Sequence, residues 1–330
     1  MNNFYGYNNE KKYLIDNFKN YSLSNSIIIH GEKGIGKQTF VLNIIKEFIS
    51  FSVKGSNLSH HFNLINNNSH PNIRYLCRDY DTKTNKEKKF ISIDQIRKLH
   101  HFFYESSLDG LNKFIVIDSA DDLNHSSANS LLKLLEEPKK NTIIFLISHQ
   151  FSSILSTIRS RCLKIRFHKH DFTTFSKIIT EKLEDIEDDM IKFLFDISNG
   201  SPGIALELQN YEILEFYNEI LIFLANNKSI SKNQFEFSNK FSKFDNDKFK
   251  IFLSLLKFVL INLYKIKLGI NLKDQYLYDN YLNLVESSDN ISQNTIFNSL
   301  EYLIINENDL FAYNLDKKLF LLNFFAQADN

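Results

Sequence analysis

The stretch that decides the fold reads SIIIHGEKGIGKQTFVLNIIKEFISF, from Ser26 to Phe51. Its first five residues, Ser26 to His30, are apolar enough to predict a buried strand, and the residues from Gln38 to Phe51 predict a helix. Between them lies the glycine-rich segment from Gly31 to Lys37. A strand, a glycine-rich loop and a helix in this order are the context that a phosphate-binding loop requires. The sequence therefore predicts an α/β domain built around such a loop.

This loop carries the candidate residues for binding a nucleotide. Gly31, Gly34 and Gly36 let the backbone amides turn inward, and the following helix N-terminus favours an anion there. Lys37 is placed to reach the outer phosphates of a nucleotide. These four residues therefore predict a nucleotide site.

Two positions depart from what a hydrolysing site needs. Gln38 stands where a hydroxyl should bind Mg²⁺, and Thr39 lies about 100° further round the helix. A second buried strand, Ile115 to Asp118, ends beside Ser119, whereas hydrolysis needs a carboxylate next to the aspartate to activate water. Asp118 is still a candidate site residue. We expect a degenerate site without hydrolysis, at which weak binding of ATP or ADP stays open and no cofactor is required.

An arginine follows a third apolar strand further along the chain. The residues from Ser126 to Glu137 repeat apolar side chains on one helix face, and Thr142 to Ile147 predict a strand. After a short helical stretch comes the triplet Ser160-Arg161-Cys162. An arginine on a loop beyond such a strand is how a nucleotide-dependent ring protein presents a guanidinium to a neighbouring subunit's phosphates. Arg161 is therefore a candidate catalytic residue that acts in trans.

These motifs together resemble the delta-prime subunits of bacterial DNA polymerase III clamp loaders, which are members of the AAA+ class. The resemblance covers about the first 210 residues of the chain. It rests on five segments: Gly31 to Lys37, Asp118 to Ala120, Ala128 to Pro138, Ser160 to Cys162 and Gly200 to Gly203. It implies an α/β P-loop AAA+ domain with a parallel sheet and flanking helices, followed by a small helical lid and an all-helical C-terminal collar domain.

The resemblance and the helical patterns together predict three domains. Residues 1–168 form the AAA+ domain, residues 169–210 the lid, and residues 211–330 the collar through which the ring assembles. A capping box at Ser92 with Gln95 predicts the start of a helix in the first domain.

The same resemblance implies a function in DNA replication. The chain would be a subunit of the ring that opens the sliding clamp and places it on primed DNA. Its partners would be the gamma or tau motor subunits and the delta subunit. Arg161 would act as an arginine finger in the neighbouring ATP site, although Arg159 and Arg166 are nearby competitors for that role. Two other functions stay open: an active AAA+ ATPase motor subunit, and a nucleotide-binding regulatory switch outside replication.

A third catalytic group is missing from the segment Gly200 to Gly203. Motor subunits of the class offer an arginine to the nucleotide where this chain has Pro202 or Gly203. Ser201 is a suitable helix N-cap and Pro202 suits the first helical position. We expect this segment to act only as a turn between two helices.

The balance of charge limits contact with DNA. The 330 residues contain 39 basic and 39 acidic side chains, whereas a protein that held duplex DNA alone would show a basic excess. DNA contact should therefore be shared within a complex. The run Lys83 to Lys89, predicted as a hairpin turn, and the helix end Ser127-Ala128-Asn129 are candidates for it, and both also suit an ordinary solvated surface.

The cysteines and apolar runs limit the compartment and the metal content. Only Cys77 and Cys162 are present, which is consistent with a reducing cytoplasm. Relatives often insert a four-cysteine zinc module before the second strand, but Cys77 stands alone there and His60, His61 and His70 lack the spacing of zinc ligands. No zinc or other metal site is expected.

The segments that could interact with a membrane are too short or too charged. Lysines interrupt the run Ile251 to Leu268 well before the ~20 residues that cross a bilayer, so it predicts a buried helix. The first residues, Met1 to Tyr7, do not have the pattern of a secretion signal. We expect a cytoplasmic protein without membrane contact.

Overall fold

A computed structural model of the chain describes residues 4–53, 57–81, 86–105, 107, 110–225, 232–270 and 292–328. The chain divides into two compact units. The first comprises residues 1–178 together with 201–203, and the second comprises residues 179–200 together with 204–330. The division into three domains at residues 168 and 210 stays a prediction.

The first unit is built on a parallel sheet. Its described strands are β1 (Ser26–His30), β2 (Ile73–Leu76), β3 (Tyr80–Asp81), β4 (Lys86–Glu87), β5 (Lys113–Asp118), β6 (Thr142–Ser148) and β7 (Leu163–Arg166). Five of them form one sheet in the order β2-β5-β6-β1-β7, and all four pairings are parallel. The remaining two, β3 and β4, form a short antiparallel hairpin. The predicted α/β fold with a parallel sheet is confirmed.

Helices cover both faces of this sheet. They are α1 (Asn8–Lys19), α2 (Lys37–Ser52), α3 (Asn57–Asn66), α4 (Ile93–Tyr104), α5 (His125–Glu136), α6 (Ser156–Arg159) and α7 (Phe172–Lys182). Two short 3₁₀ turns, Ala120–Asp122 and Phe151–Ser153, follow β5 and β6. Successive side chains of a strand point to opposite faces. Ile27 and Ile29 accordingly pack in the cluster that contains α1 and α2, whereas Ile28 packs in the cluster that contains α4 and α5.

Local capping explains where the site helices begin. Ser92 and Gln95 form the predicted capping box at the start of α4. The helix α5 begins at His125, one residue before the predicted Ser126, because the Asn124 side chain accepts a hydrogen bond from the Ser127 amide and acts as the N-cap. The helix α2 likewise begins at Lys37, one residue before its predicted start, directly after Gly36.

The second unit is helical in its described part. It continues from α7 with α8 (Asp188–Ile197), α9 (Pro202–Gln209), α10 (Ile213–Ala225), α11 (Lys232–Phe241), α12 (Asn246–Lys267), α13 (Gln293–Ala312) and α14 (Lys317–Ala328). Aromatic rings fill its core, and the rings of Phe241 and Phe252 stack at 4.1 Å between centroids. The apolar run predicted as a buried helix lies in α12 apart from the exposed Leu268, and the helix is buried along one face. Among the described residues, no helix has the length and apolar character that spanning a membrane requires.

Candidate nucleotide site and arginine segment

The candidate nucleotide site lies at the carboxyl ends of the central strands. The glycine-rich loop follows β1, Asp118 ends β5 and Ser148 ends the neighbouring β6. Ligands of open α/β sheets bind outside the carboxyl ends of the strands. The structure brings five predicted site residues to this edge: Gly31, Gly34, Gly36, Lys37 and Asp118.

Backbone geometry explains why glycine occupies each of three positions in the loop. A Cβ atom on Gly31 would lie 2.4 Å from the carbonyl oxygen of Phe167, which leaves no room for a side chain. Gly34 and Gly36 have φ angles of 77° and 85°, in the left-handed region that favours glycine. Gly36 occupies the N-cap position of α2. The fold therefore requires these glycines independently of any ligand.

Lys37 is buried against its own loop. Its Nζ atom donates hydrogen bonds to the carbonyl oxygens of Gly31, at 2.8 Å, and Glu32, at 2.5 Å. Burial lowers the pKa of Lys37 to about 8, although the carboxylates of Asp118, Asp121 and Glu32 act in the opposite direction. The lysine is thus mostly charged near neutral pH and neutralises the partial charge of two loop carbonyls.

The segment that begins α9 packs directly on the loop. The Ser201 hydroxyl donates to the Lys33 carbonyl at 2.9 Å, and the Gly203 amide donates to the Gly34 carbonyl at 2.7 Å. A Cβ on Gly203 would approach the Cα atom of Gly34 to 2.8 Å. The prediction that this segment serves only as a turn between helices is wrong, because its polar groups stabilise the loop.

Two side chains from distant parts of the first unit bind the next carbonyl. The Ile35 carbonyl oxygen accepts hydrogen bonds from the Tyr7 hydroxyl at 3.0 Å and from Nε2 of His170 at 3.1 Å. The Tyr7 ring stacks on Phe167 with 3.9 Å between the centroids. With the bonds described above, every carbonyl from Gly31 to Ile35 has a donor within the chain. Hydrogen bonds from other parts of the chain therefore help to hold the loop in this shape.

A hydrogen-bond chain occupies the place of the magnesium ligands. Nε2 of Gln38 donates to the Tyr75 hydroxyl at 2.6 Å, and that hydroxyl donates to Oδ2 of Asp118 at 2.6 Å. Burial and the adjacent Asp118 carboxylate raise the pKa of Tyr75, so the hydroxyl stays protonated. An Mg²⁺ ion prefers free carboxylate and hydroxyl oxygens in octahedral geometry. These residues therefore fit an Mg²⁺ ion poorly.

Ser119 is committed to a second network. Its Oγ atom donates to Oδ2 of Asp121 at 2.6 Å. The Asp121 carboxylate also accepts hydrogen bonds from the hydroxyls of Ser148 and Ser153 and from the amides of His149 and Gln150. Burial alone would raise the pKa of Asp121, but the hydrogen bonds outweigh it and the pKa lies below its usual range. Ser119 thus donates to a structural carboxylate and supplies no base of its own that could activate water.

Arg161 lies on a different part of the first unit from these networks. It follows α6, and its Nη2 atom pairs with Oε1 of Glu136, the last residue of α5, at 2.8 Å. Its Nη1 atom donates to the Thr157 carbonyl at 2.9 Å. The competitor Arg159 is half-buried, with its guanidinium over the Phe151 ring at 5.2 Å. Of these two arginines, Arg161 presents the exposed guanidinium, and the other competitor, Arg166 at the end of β7, is also exposed.

The cysteines and histidines lie in separate places of the described structure. Cys162 is a small buried side chain, and burial raises the pKa of its thiol to about 12, whereas Cys77 is exposed. Nδ1 of His61 lies 2.9 Å from Nε2 of His70, whose Nδ1 accepts from the Asn72 amide. The described ranges contain no group of three or more residues placed to hold a metal ion.

Sequence reasoning missed several residues of the site. Tyr75, Asp121, Tyr7 and Glu136 each make a contact that joins segments far apart in the chain. Asp121 had the clearest available signal, since it lies three residues beyond the strand-ending Asp118. The tyrosines carried no motif of their own.

The predicted DNA contacts on α5 are exposed only in part, because Ser127 and Ala128 are buried. Asn129 on α5 is exposed, and its Nδ2 atom lies 3.0 Å from Nδ1 of His125. The hairpin of β3 and β4 flanks the run Lys83 to Lys89, but residues 82–85 lie outside the described part of the chain. DNA contact at either place stays a prediction.

The fold and this site define a class of protein. A parallel sheet with helices on both faces, and a glycine-rich loop between β1 and α2, make the first unit a P-loop α/β domain. Residues 6–171, half of the chain, match the family model described as "DNA polymerase III, delta subunit". The chain belongs to this family.

Named relatives match the same part of the chain. DNA polymerase III subunit delta' of Pseudomonas aeruginosa is 34% identical over 128 residues, which are 39% of each chain. The subunit delta' of Bacillus subtilis is 29% identical over 210 residues, 62% of this chain and 60% of that one. The matches thus span about two-fifths to three-fifths of the length of these relatives.

A solved structure resembles the whole chain more weakly. The DNA polymerase III gamma subunit-related protein of Thermotoga maritima covers 96% of this chain and 98% of its own at a TM-score of 0.45 and 18% identity. A likeness at this level supports no conclusion about function.

Proposed function

We propose that this chain is a clamp-loader subunit of DNA polymerase III that assembles into the ring, does not hydrolyse ATP itself and donates Arg161 to a neighbouring ATP site. Membership of the DNA polymerase III delta-subunit family supports the first part. The proposed partners are the gamma or tau motor subunits, the delta subunit and, within the complex, the sliding clamp and primed DNA. The proposed compartment is the cytoplasm.

The main support for a lack of hydrolysis is the chain of hydrogen bonds that joins Gln38, Tyr75 and Asp118. It engages Oδ2 of Asp118 with a tyrosine hydroxyl at 2.6 Å, at the position where a hydrolysing site holds Mg²⁺. Ser119, beside it, has no basic form near neutral pH and donates its proton to Asp121. Either defect alone would slow hydrolysis, and together they leave neither a metal site nor a base. Binding of ATP or ADP by the loop amides and Lys37 stays compatible with these contacts.

The exposed arginine supports the second part of the proposal. Phosphoryl transfer builds negative charge on the phosphate, and an arginine supplied by a neighbour accelerates it by roughly 10³ to 10⁵. The planar guanidinium suits this role because it binds phosphate oxygens through two parallel N–H groups. Arg161 has the exposure and the loop position that such a contact requires.

The experiment that tests the proposal measures ATP turnover by the isolated chain and by the ring assembled with its motor and delta subunits, with and without clamp and primed DNA. We expect no turnover by the isolated chain and stimulated turnover by the ring. Turnover by the isolated chain that Lys37→Ala abolishes and the surface control Lys12→Ala retains would show instead an active ATPase. An isolated chain that binds no motor subunit would contradict membership of the ring.

A further inference from the structure

One ion pair near Arg161 is the starting point. Nη2 of Arg161 lies 2.8 Å from Oε1 of Glu136, and the two side chains are 36% and 47% exposed. The second contact of the guanidinium is with the Thr157 carbonyl. The acceptors belong to two different helices, because Glu136 ends α5 and Thr157 lies in α6. They therefore fix the direction of the side chain at two points.

The pair is too exposed to contribute much to the stability of the fold. Exposed ion pairs gain little, because water screens the charges and both side chains lose rotamer freedom. A free arginine side chain has many rotamers, and restricting them before an encounter lowers the entropy lost when it binds a phosphate. The pair uses one N–H group of the five that a guanidinium carries, so others stay available to a ligand. We therefore expect the ion pair to orient the guanidinium and to add little to the stability of the fold.

We propose that Glu136 is a positioning residue for Arg161 and holds its guanidinium ready for the phosphates of the neighbouring subunit. This inference depends on the proposed function, since it assumes that Arg161 acts in trans. Glu136 itself contacts no phosphate in this scheme. Its carboxylate and the Thr157 carbonyl each accept from one N–H group, and the remaining N–H groups of the guanidinium would meet the developing charge.

We expect the loss of Glu136 to affect the rate of ATP hydrolysis more than the binding of ATP. Loss of Glu136 keeps the charge of Arg161 but releases its orientation, and orientation matters most in the transition state. We expect Glu136→Gln to lower kcat for ATP hydrolysis by the assembled ring by about fivefold to tenfold, the range of coupling between residues in contact. The KM for ATP should change by less than about twofold, because the motor subunit supplies most ground-state binding.

The variants for this test separate orientation from charge. Glu137→Gln removes the same charge one residue further on, and Glu137 forms no ion pair with any residue that the structure describes. Glu136→Asp keeps the carboxylate. Arg161→Ala, alone and combined with Glu136→Gln, completes a double-mutant cycle. All variants are assembled with the motor and delta subunits, and size-exclusion chromatography and thermal unfolding check that each ring forms and each chain is folded.

The expected results are a reduced kcat for Glu136→Gln, partial recovery in Glu136→Asp, full activity in Glu137→Gln and no further loss from Glu136→Gln in the Arg161→Ala background. An unchanged or increased kcat for Glu136→Gln would overturn the positioning role, as would a loss of the same size in the Arg161→Ala background. If Arg161→Ala itself retains full turnover, the proposed donation of Arg161 fails, and the role of Glu136 fails with it.

Discussion

The glycine-rich loop and the segment around Arg161 differ in how far their polar groups are hydrogen-bonded within the chain. At the loop, five successive carbonyls, Asp118 and Ser119 all have partners within the chain. At Arg161, an exposed guanidinium has one carboxylate and one carbonyl as its principal partners. The first arrangement leaves few groups for a metal ion, whereas the second can exchange its partners at little cost. The proposed function accordingly assigns the contact with a neighbouring phosphate to the second place and not to the first.

The largest expected effect tests the exposed side of this comparison. Arg161→Ala should leave assembly intact but lower ATP turnover of the assembled ring by about 10³, because the transition-state charge loses its guanidinium. Steady-state turnover with clamp and primed DNA measures it. Lys164→Ala removes an exposed positive charge three residues further along and should change turnover by less than about twofold. Equal turnover in the two variants would contradict the assigned role of Arg161.

The next largest expected effect tests the hydrogen bonds that the Asp121 carboxylate accepts. Asp121→Asn places an amide among donors that all require an acceptor, so we expect it to destabilise the first unit by about 2–4 kcal/mol. Urea unfolding at neutral pH measures the change. Asp122→Asn, which loses one ion pair with Arg78, should cost less than about 1 kcal/mol and serves as the control.

The same carboxylate gives a pH dependence with a definite sign. The folded pKa of Asp121 lies below its ordinary value of 3.8. Its contribution is therefore present above the unfolded pKa and is lost as the pH falls through the folded pKa. The difference in unfolding free energy between the unmodified chain and Asp121→Asn should shrink below about pH 4. A difference that grows on acidification would contradict the assigned hydrogen bonds.

The smallest expected effect tests whether the hydrogen bonds among Gln38, Tyr75 and Asp118 hinder the binding of Mg²⁺. Tyr75→Phe removes the hydroxyl between Gln38 and Asp118 and should destabilise the chain by about 1–2 kcal/mol, since both partners lose a hydrogen bond. Tyr80→Phe, on an exposed tyrosine, should be neutral. In Tyr75→Phe combined with Gln38→Thr, Mg²⁺ should strengthen binding of a fluorescent ATP analogue. Hydrolysis should stay at background because Ser119 still replaces the carboxylate, and measurable turnover would refute that role for Ser119.

Local patterns account for what the sequence predicted well. The strand before the loop has the predicted bounds, Ser26–His30, because a short run of β-branched residues that is closely followed by a glycine is typical of a buried strand. The capping box at Ser92 was equally legible, since it depends on residues three positions apart. The predicted loop residues and Asp118 share one edge because the carboxyl ends of parallel strands must do so.

Contacts between distant segments account for what the sequence did not predict. Tyr75 and Asp118 lie 43 positions apart, and Ser201 and Lys33 lie 168 apart. No periodicity encodes such pairs, because strand order and the path of the chain decide them. Glu136 lies within the segment Ser126 to Glu137, which was predicted as a helix with one apolar face, and its ion pair depends on where α6 ends.

The close approach of Gly203 to Gly34 changes how glycines in such loops should be interpreted. A side chain on Gly203 would collide with the backbone of Gly34, and one on Gly31 would collide with the carbonyl of Phe167. These positions are therefore fixed by how the first unit folds, whatever the loop binds. Glycines in such a loop therefore report first on how the domain packs, whether or not the loop binds a nucleotide.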